Sequence, residues 1–121
     1  MNKILKIGLL SLFLLFAGNA FAGDEAHISR AKDWTQSKNT PIPLSEWTEF
    51  IKSDKEFRSA DADKGQGGAI WTNPKDKKEW YFYYHEGEIS VKNPEESVVA
   101  KMKSVAGKLK AKVVSDDGDE L

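Results

Sequence analysis

The residues that could do chemistry in this 121-residue chain are few: the histidines His27 and His85, carboxylates and lysines, with no cysteine at all. His85 is followed by Glu86, Gly87 and Glu88, which sets an imidazole beside two carboxylates across a turn, a pairing suited to general acid–base work. Nucleophilic catalysis would also need a group to activate, and no serine stands in a strand-to-helix elbow. The zinc-protease helix motif is ruled out by the missing second histidine and by Gly87, which favours a turn. Asp61-x-Asp63-x-Gly65 approaches the spacing of a calcium loop, but its glycine falls one place early and Thr72 stands where a bidentate glutamate belongs. The sequence therefore reads as a protein without catalysis, cofactor or metal.

Chemistry of another kind, adhesive rather than reactive, is concentrated between Glu79 and Lys92. Five successive aromatic residues, Trp80 to Tyr84, run into the Glu86-Gly87 pair and then into a second alternating segment, the pattern of a β-hairpin. A two-residue loop sets His85 opposite Glu88, Tyr84 opposite Ile89 and Phe82 opposite Val91. A six-residue connection before it sets Thr72 opposite Glu79, Trp71 opposite Trp80 and Ala69 opposite Phe82. The two registers agree on one core face, made of Ala69, Trp71, Trp80, Phe82, Tyr84, Ile89 and Val91. What is left for a partner is Tyr81, Tyr83, His85, Glu88, Ser90 and Lys92, joined by Trp34 from upstream. Tyrosine suits such a surface because it carries an apolar ring and a hydroxyl together. The competing reading is that the segment bearing Trp34 docks on the domain and covers this face.

Other segments must hold that hairpin. Residues 1–22 have the Lys3/Lys6, apolar and Ala20-Phe21-Ala22 regions of a cleaved secretory leader. Residues 23–43 are polar and aperiodic and read as a loose N-terminal arm. Leu44, Trp47, Phe50 and Ile51 follow helical spacing, defining a first amphipathic helix that ends near Ser53 or continues to Phe57. A glycine-rich loop, residues 58–68, leads to the strands. Asn93-Pro94-Glu95-Glu96 reads as the start of a second helix, with Asn93 as N-cap and a stripe of Val98, Val99, Met102, Val105, Ala106 and Leu109. Residues 112–115 form a last short strand, expected parallel to a neighbour after a right-handed crossover. Residues 116–121 are an acidic tail whose Gly-Asp-Glu-Leu ending is a coincidental likeness to a retention signal. The expected fold is α+β, one domain over 44–115: a three-stranded antiparallel meander, extendable by a fourth strand after the last helix, packed by two helices in the order α-β-β-β-α-β.

Without its leader the chain carries 16 basic and 19 acidic residues and no basic stripe, which argues against nucleic acid. A short, simple leader points to a bacterial periplasm. The segments PLSEWTEFIKSDKEFR and VKNPEESVVAKMKSVAGKLKAKVVSDDGDEL resemble a group of small uncharacterised bacterial proteins with a tryptophan-bearing first helix and an acidic end. The resemblance implies no activity or ligand. The functional expectation is a periplasmic binding protein, of the immunity type, that occludes a toxin acting in the cell envelope. The alternative is an envelope module recognising a glycan or peptidoglycan fragment through its aromatic face, with a hydrolase using His85 a distant third.

Overall fold

The computed structural model describes residues 24–60 and 66–121. The expected secretory leader and the Asp61-x-Asp63 pattern fall outside the described residues. The elements run β1 (Glu25–Ser29), a 3-10 turn (Trp34–Gln36), α1 (Leu44–Ser53), β2 (Phe57–Ser59), β3 (Ala69–Thr72), β4 (Glu79–His85), β5 (Glu88–Lys92), α2 (Glu96–Lys108) and β6 (Lys112–Ser115). The strands form one open, fully antiparallel sheet in the order β2-β3-β4-β5-β1-β6. Among the described residues no helix is long and apolar enough to cross a membrane.

Both hairpin registers form as their turn lengths dictate. Thr72 faces Glu79, Trp71 faces Trp80 and Ala69 faces Phe82; Tyr84 faces Ile89 and His85 faces Glu88, but the ladder stops at Tyr83–Ser90, so the expected Phe82–Val91 pair is not made. Glu86 and Gly87 both have positive φ, 46° and 90°, the geometry of a type I′ turn that matches strand twist. The two helices cover one side of the sheet, where Trp47 and Ile51 of α1 and Val98, Met102 and Val105 of α2 join Ala26, Ile28, Trp71, Phe82, Ile89 and Val91 in a single core. Trp47 is its centre: fully buried, stacked against Phe50 and Phe82, edge-on to Phe57, with its indole N–H donating to the Gly67 carbonyl at 2.6 Å.

Four features depart from the sequence-based expectation. The supposed loose arm contributes β1, which lies inside the sheet between β5 and β6. Glu25-Ala26-His27-Ile28-Ser29 alternates strictly, sending Ala26 and Ile28 to the core and His27 to the outer face. Past the 3-10 turn the chain wraps the tip of the β4–β5 hairpin, where Ile42 N–H donates to the Gly87 carbonyl and the Tyr84 hydroxyl donates to the Ile42 carbonyl. Ile42 itself is completely buried. Second, β6 has the direction of β5 but pairs antiparallel with β1, which has inserted between them. Third, α1 ends at Ser53, the earlier of its two expected ends, and Phe57 then opens an unexpected strand, β2, bringing the sheet to six strands. Fourth, α2 starts at Glu96: Asn93 takes a left-handed φ of 47° and its N–H bonds the Asp24 carbonyl, so it closes β5 and is not the cap. A following proline disfavours the right-handed helical region, and asparagine tolerates the left-handed one.

Two polar contacts fasten the layers. Lys101 of α2, which lies outside the apolar stripe, is 2.9 Å from both Asp54 and Glu56 and above the Phe57 and Trp71 rings, clamping the α1–β2 turn. The acidic tail also folds back. Leu121 N–H donates to the Val113 carbonyl, Glu120 bridges to Val114, and the Leu121 side chain packs on the core.

Candidate functional site

The outer face of the sheet, opposite the helices, carries every polar residue that the hairpin register sets aside. Across its centre Tyr83, Ser90, His27 and Val114 stand side by side on β4, β5, β1 and β6. The 3-10 turn lies over the β1 end of this row. Trp34 stacks on the His27 ring with centroids 3.8 Å apart and planes 7° from parallel, and its indole N–H donates to the Asp116 carbonyl at 2.9 Å. Asp33 caps the turn by accepting from Thr35 N–H, and the Ser37 hydroxyl closes it on the Trp34 carbonyl.

Under Trp34, His27 is 1% exposed and is held at both ring nitrogens: Nδ1 is 2.7 Å from Glu88 Oε1 and Nε2 is 2.7 Å from Asp116 Oδ1. A neutral imidazole has one N–H, so only the imidazolium donates to both carboxylates. Burial by itself would lower the His27 pKa, but the hydrogen bonds to Glu88 and Asp116 outweigh it and raise the pKa above that of an ordinary histidine. On Asp116 burial pushes upward and is overcome by the bonds from His27 and the Glu25 backbone N–H, leaving its carboxyl below the usual range. This arrangement joins β1, β5 and the turn after β6. With both nitrogens occupied and water excluded, His27 has no lone pair to offer as a general base.

The candidate residues therefore separate into two groups. Glu88 and Ser90 are buried, and Trp34 is half-buried as the cover of His27. The expected partnership of His85 with Glu88 across the turn is not made: Glu88 turns to His27, and the exposed His85 lies 3.6 Å from Glu86. Tyr81, Tyr83 and Lys92 stay together as surface. Tyr81 is 39% exposed, the one large hydrophobic residue standing out among the described residues. Lys92 Nζ sits 5.5 Å above the Tyr83 ring, a cation–π contact. The β4–β5 ladder extends only over Tyr83–Ser90 to His85–Glu88, and beyond it a recess of about 200 Å³ lies between Trp80, Tyr81, Tyr83, Val91 and Lys92, with Glu79 at its rim.

His27 is the residue that sequence reasoning missed. Its one local signal was the alternation of residues 25–29; its carboxylate partners lie 61 and 89 positions away. Among the described residues no group of three or more histidine, aspartate or glutamate side chains is placed to hold a metal ion. No protein-family model, curated protein or solved structure matches this chain.

Proposed function

We propose that the protein is a small exported binding protein of the immunity type, acting without catalysis by occluding a toxin in the cell envelope. Its contact surface is the uncovered part of the outer sheet face: Tyr81, Tyr83, Lys92 and the hairpin-end His85. The observation that carries this reading is the contrast across one face. The β5–β1 part is roofed by the Trp34 turn, while Tyr81 stands 39% exposed beside the Tyr83–Lys92 pair. An aromatic anchor on a rigid strand loses little conformational entropy on binding, and truncating such an anchor typically costs about 2 kcal/mol or more.

The test uses tagged protein recovered from the periplasm of its source cell. Wild type should retain one protein in stoichiometric amount and suppress that protein's damage to the envelope. Tyr81→Ala with Tyr83→Ala should bind about 30-fold more weakly, the equivalent of about 2 kcal/mol, while Lys75→Ala, in the β3–β4 turn, should not. Undiminished binding by the double variant would remove the basis of the proposal.

The recess beside Trp80 favours a second reading, an envelope module that holds a glycan fragment on its aromatic rings. Titration with muropeptides, followed by tryptophan fluorescence, separates the two. A saturable change supports the glycan reading and a flat response rejects it.

A further inference from the structure

Far from the tyrosines, where β1 ends and β6 begins beside the C-terminus of α2, positive charge gathers around a cleft. It encloses about 560 Å³ and is lined by Arg30, Lys32, Lys110 and Lys112, with Gly118 and, as the single acid among its described lining residues, Glu120. An adjoining hollow shares Arg30 and Lys110 and adds Lys108 and Glu46. The cations outnumber the acids there in a chain whose overall formal charge is −1.

The cluster is only partly neutralised from within. Arg30 is fixed, donating from Nε to the Leu109 carbonyl and from its guanidinium to Glu46 at 2.6 Å. Lys112 reaches Glu120 only at 3.5 Å, with both side chains well exposed, a pair of little strength in water. The side chains of Lys32, Lys108 and Lys110 make no salt bridge or hydrogen bond among the described residues, although Lys110 is close enough to Glu46, and Lys108 to Asp54, to help hold those carboxyls below the usual range. Lysines near the end of a helix complement its dipole, which accounts for Lys108 and Lys110 but not for Arg30 and Lys32 after β1, or Lys112 on β6. Three separate elements thus direct cations into one concavity. Lys110 does so at φ 56°, just past the helix, at a position where glycine or asparagine is usual and a lysine is strained.

We infer that this cleft binds a compact, multiply charged anion of the phosphate type, either a soluble phosphate compound or a phospholipid headgroup. The volume matches a small ligand and is too confined for a protein surface. The inference is independent of the tyrosine face.

The probe is inorganic pyrophosphate, titrated calorimetrically into the full mature chain at low and at physiological salt. One saturable site is expected, weakening as salt rises. Lys110→Gly should bind at least about ten-fold more weakly while melting no lower than wild type, because glycine suits a positive φ. Lys77, at φ 66° in the β3–β4 turn, provides the matched control. Lys77→Gly removes the same charge and the same strain, and should leave affinity unchanged. Phosphatidylglycerol vesicles, compared with phosphatidylcholine vesicles, then distinguish the two sources. Pyrophosphate and phosphatidylglycerol binding that both fall in Lys110→Gly assign a headgroup; pyrophosphate binding alone assigns a soluble ligand. The inference is overturned by no saturable pyrophosphate binding at low salt, by vesicle binding without it, or by equal losses in Lys77→Gly and Lys110→Gly.

Discussion

Trp47 and Trp80 show how much the surroundings of one side chain decide. Both are tryptophans on the core side, yet Trp47 is fully enclosed with its N–H bonded to Gly67, whereas the Trp80 N–H is buried without a partner among the described residues. An unsatisfied buried donor costs about 1–3 kcal/mol. Replacing each by phenylalanine should therefore have unequal consequences. Trp47→Phe loses a hydrogen bond and stacked ring area and should destabilise by about 2–3 kcal/mol. Trp80→Phe discards the unsatisfied donor, offsetting its lost contacts, and should cost under about 1 kcal/mol. Urea unfolding midpoints of the two variants measure the difference, and equal midpoints would mean that the Trp80 N–H is satisfied in solution.

Between elements, the tip of the β4–β5 hairpin is where the N-terminal segment attaches, and Gly87 permits it. A Cβ there would lie 2.6 Å from Pro41 Cβ and 2.7 Å from the Ser37 carbonyl oxygen, at a φ of 90° that side chains rarely adopt. Gly87→Ala should cost about 2–4 kcal/mol, combining left-handed strain with displacement of residues 37–42, and lower Tm by about 8 °C or more. Its neighbour Glu86 also has positive φ, so Glu86→Asn should raise Tm slightly. A melt of Gly87→Ala within about 2 °C of wild type would show that the strap does not depend on this contact. The hairpin itself was legible because its aromatic alternation and turn length each specify the same register. The strap and β1 were not, since Ala26 and Ile28 supply too little apolar signal and the groups that satisfy His27 are remote in sequence. The candidate site was legible to the same extent: Tyr81, Tyr83 and Lys92 followed from period two, while the burial of Glu88 and Ser90 required a strand, β1, that local pattern did not declare.

Taken as a whole, the molecule ties β1 and the Trp34 turn to the C-terminal segment at Asp116, which accepts from His27 and the Glu25 N–H through its carboxylate and from Trp34 through its carbonyl. Stability should therefore follow the protonation of His27. Its raised pKa means that the network's contribution is complete below 6.5, the ordinary histidine value, and is lost as pH climbs through the higher value of the folded state. Asp116, with a lowered pKa, contributes fully above 3.8 and loses its contribution as pH falls through its depressed folded value. Deprotonated His27 would leave a lone pair facing a carboxylate in a dry setting, and Trp34 would be the first element to loosen. Wild-type Tm should accordingly hold between these limits and decline as pH rises above about 6.5, accompanied by a change in tryptophan fluorescence. Asp54 and Glu56, also lowered beside Lys101, share only the acid decline, so the two limbs can be separated. His27→Gln should be less stable near neutrality, keep the acid limb and lose the alkaline one. An alkaline slope that survives in His27→Gln would place the pH sensitivity elsewhere and reduce the buried histidine to a static tie between β1, β5 and the C-terminal segment.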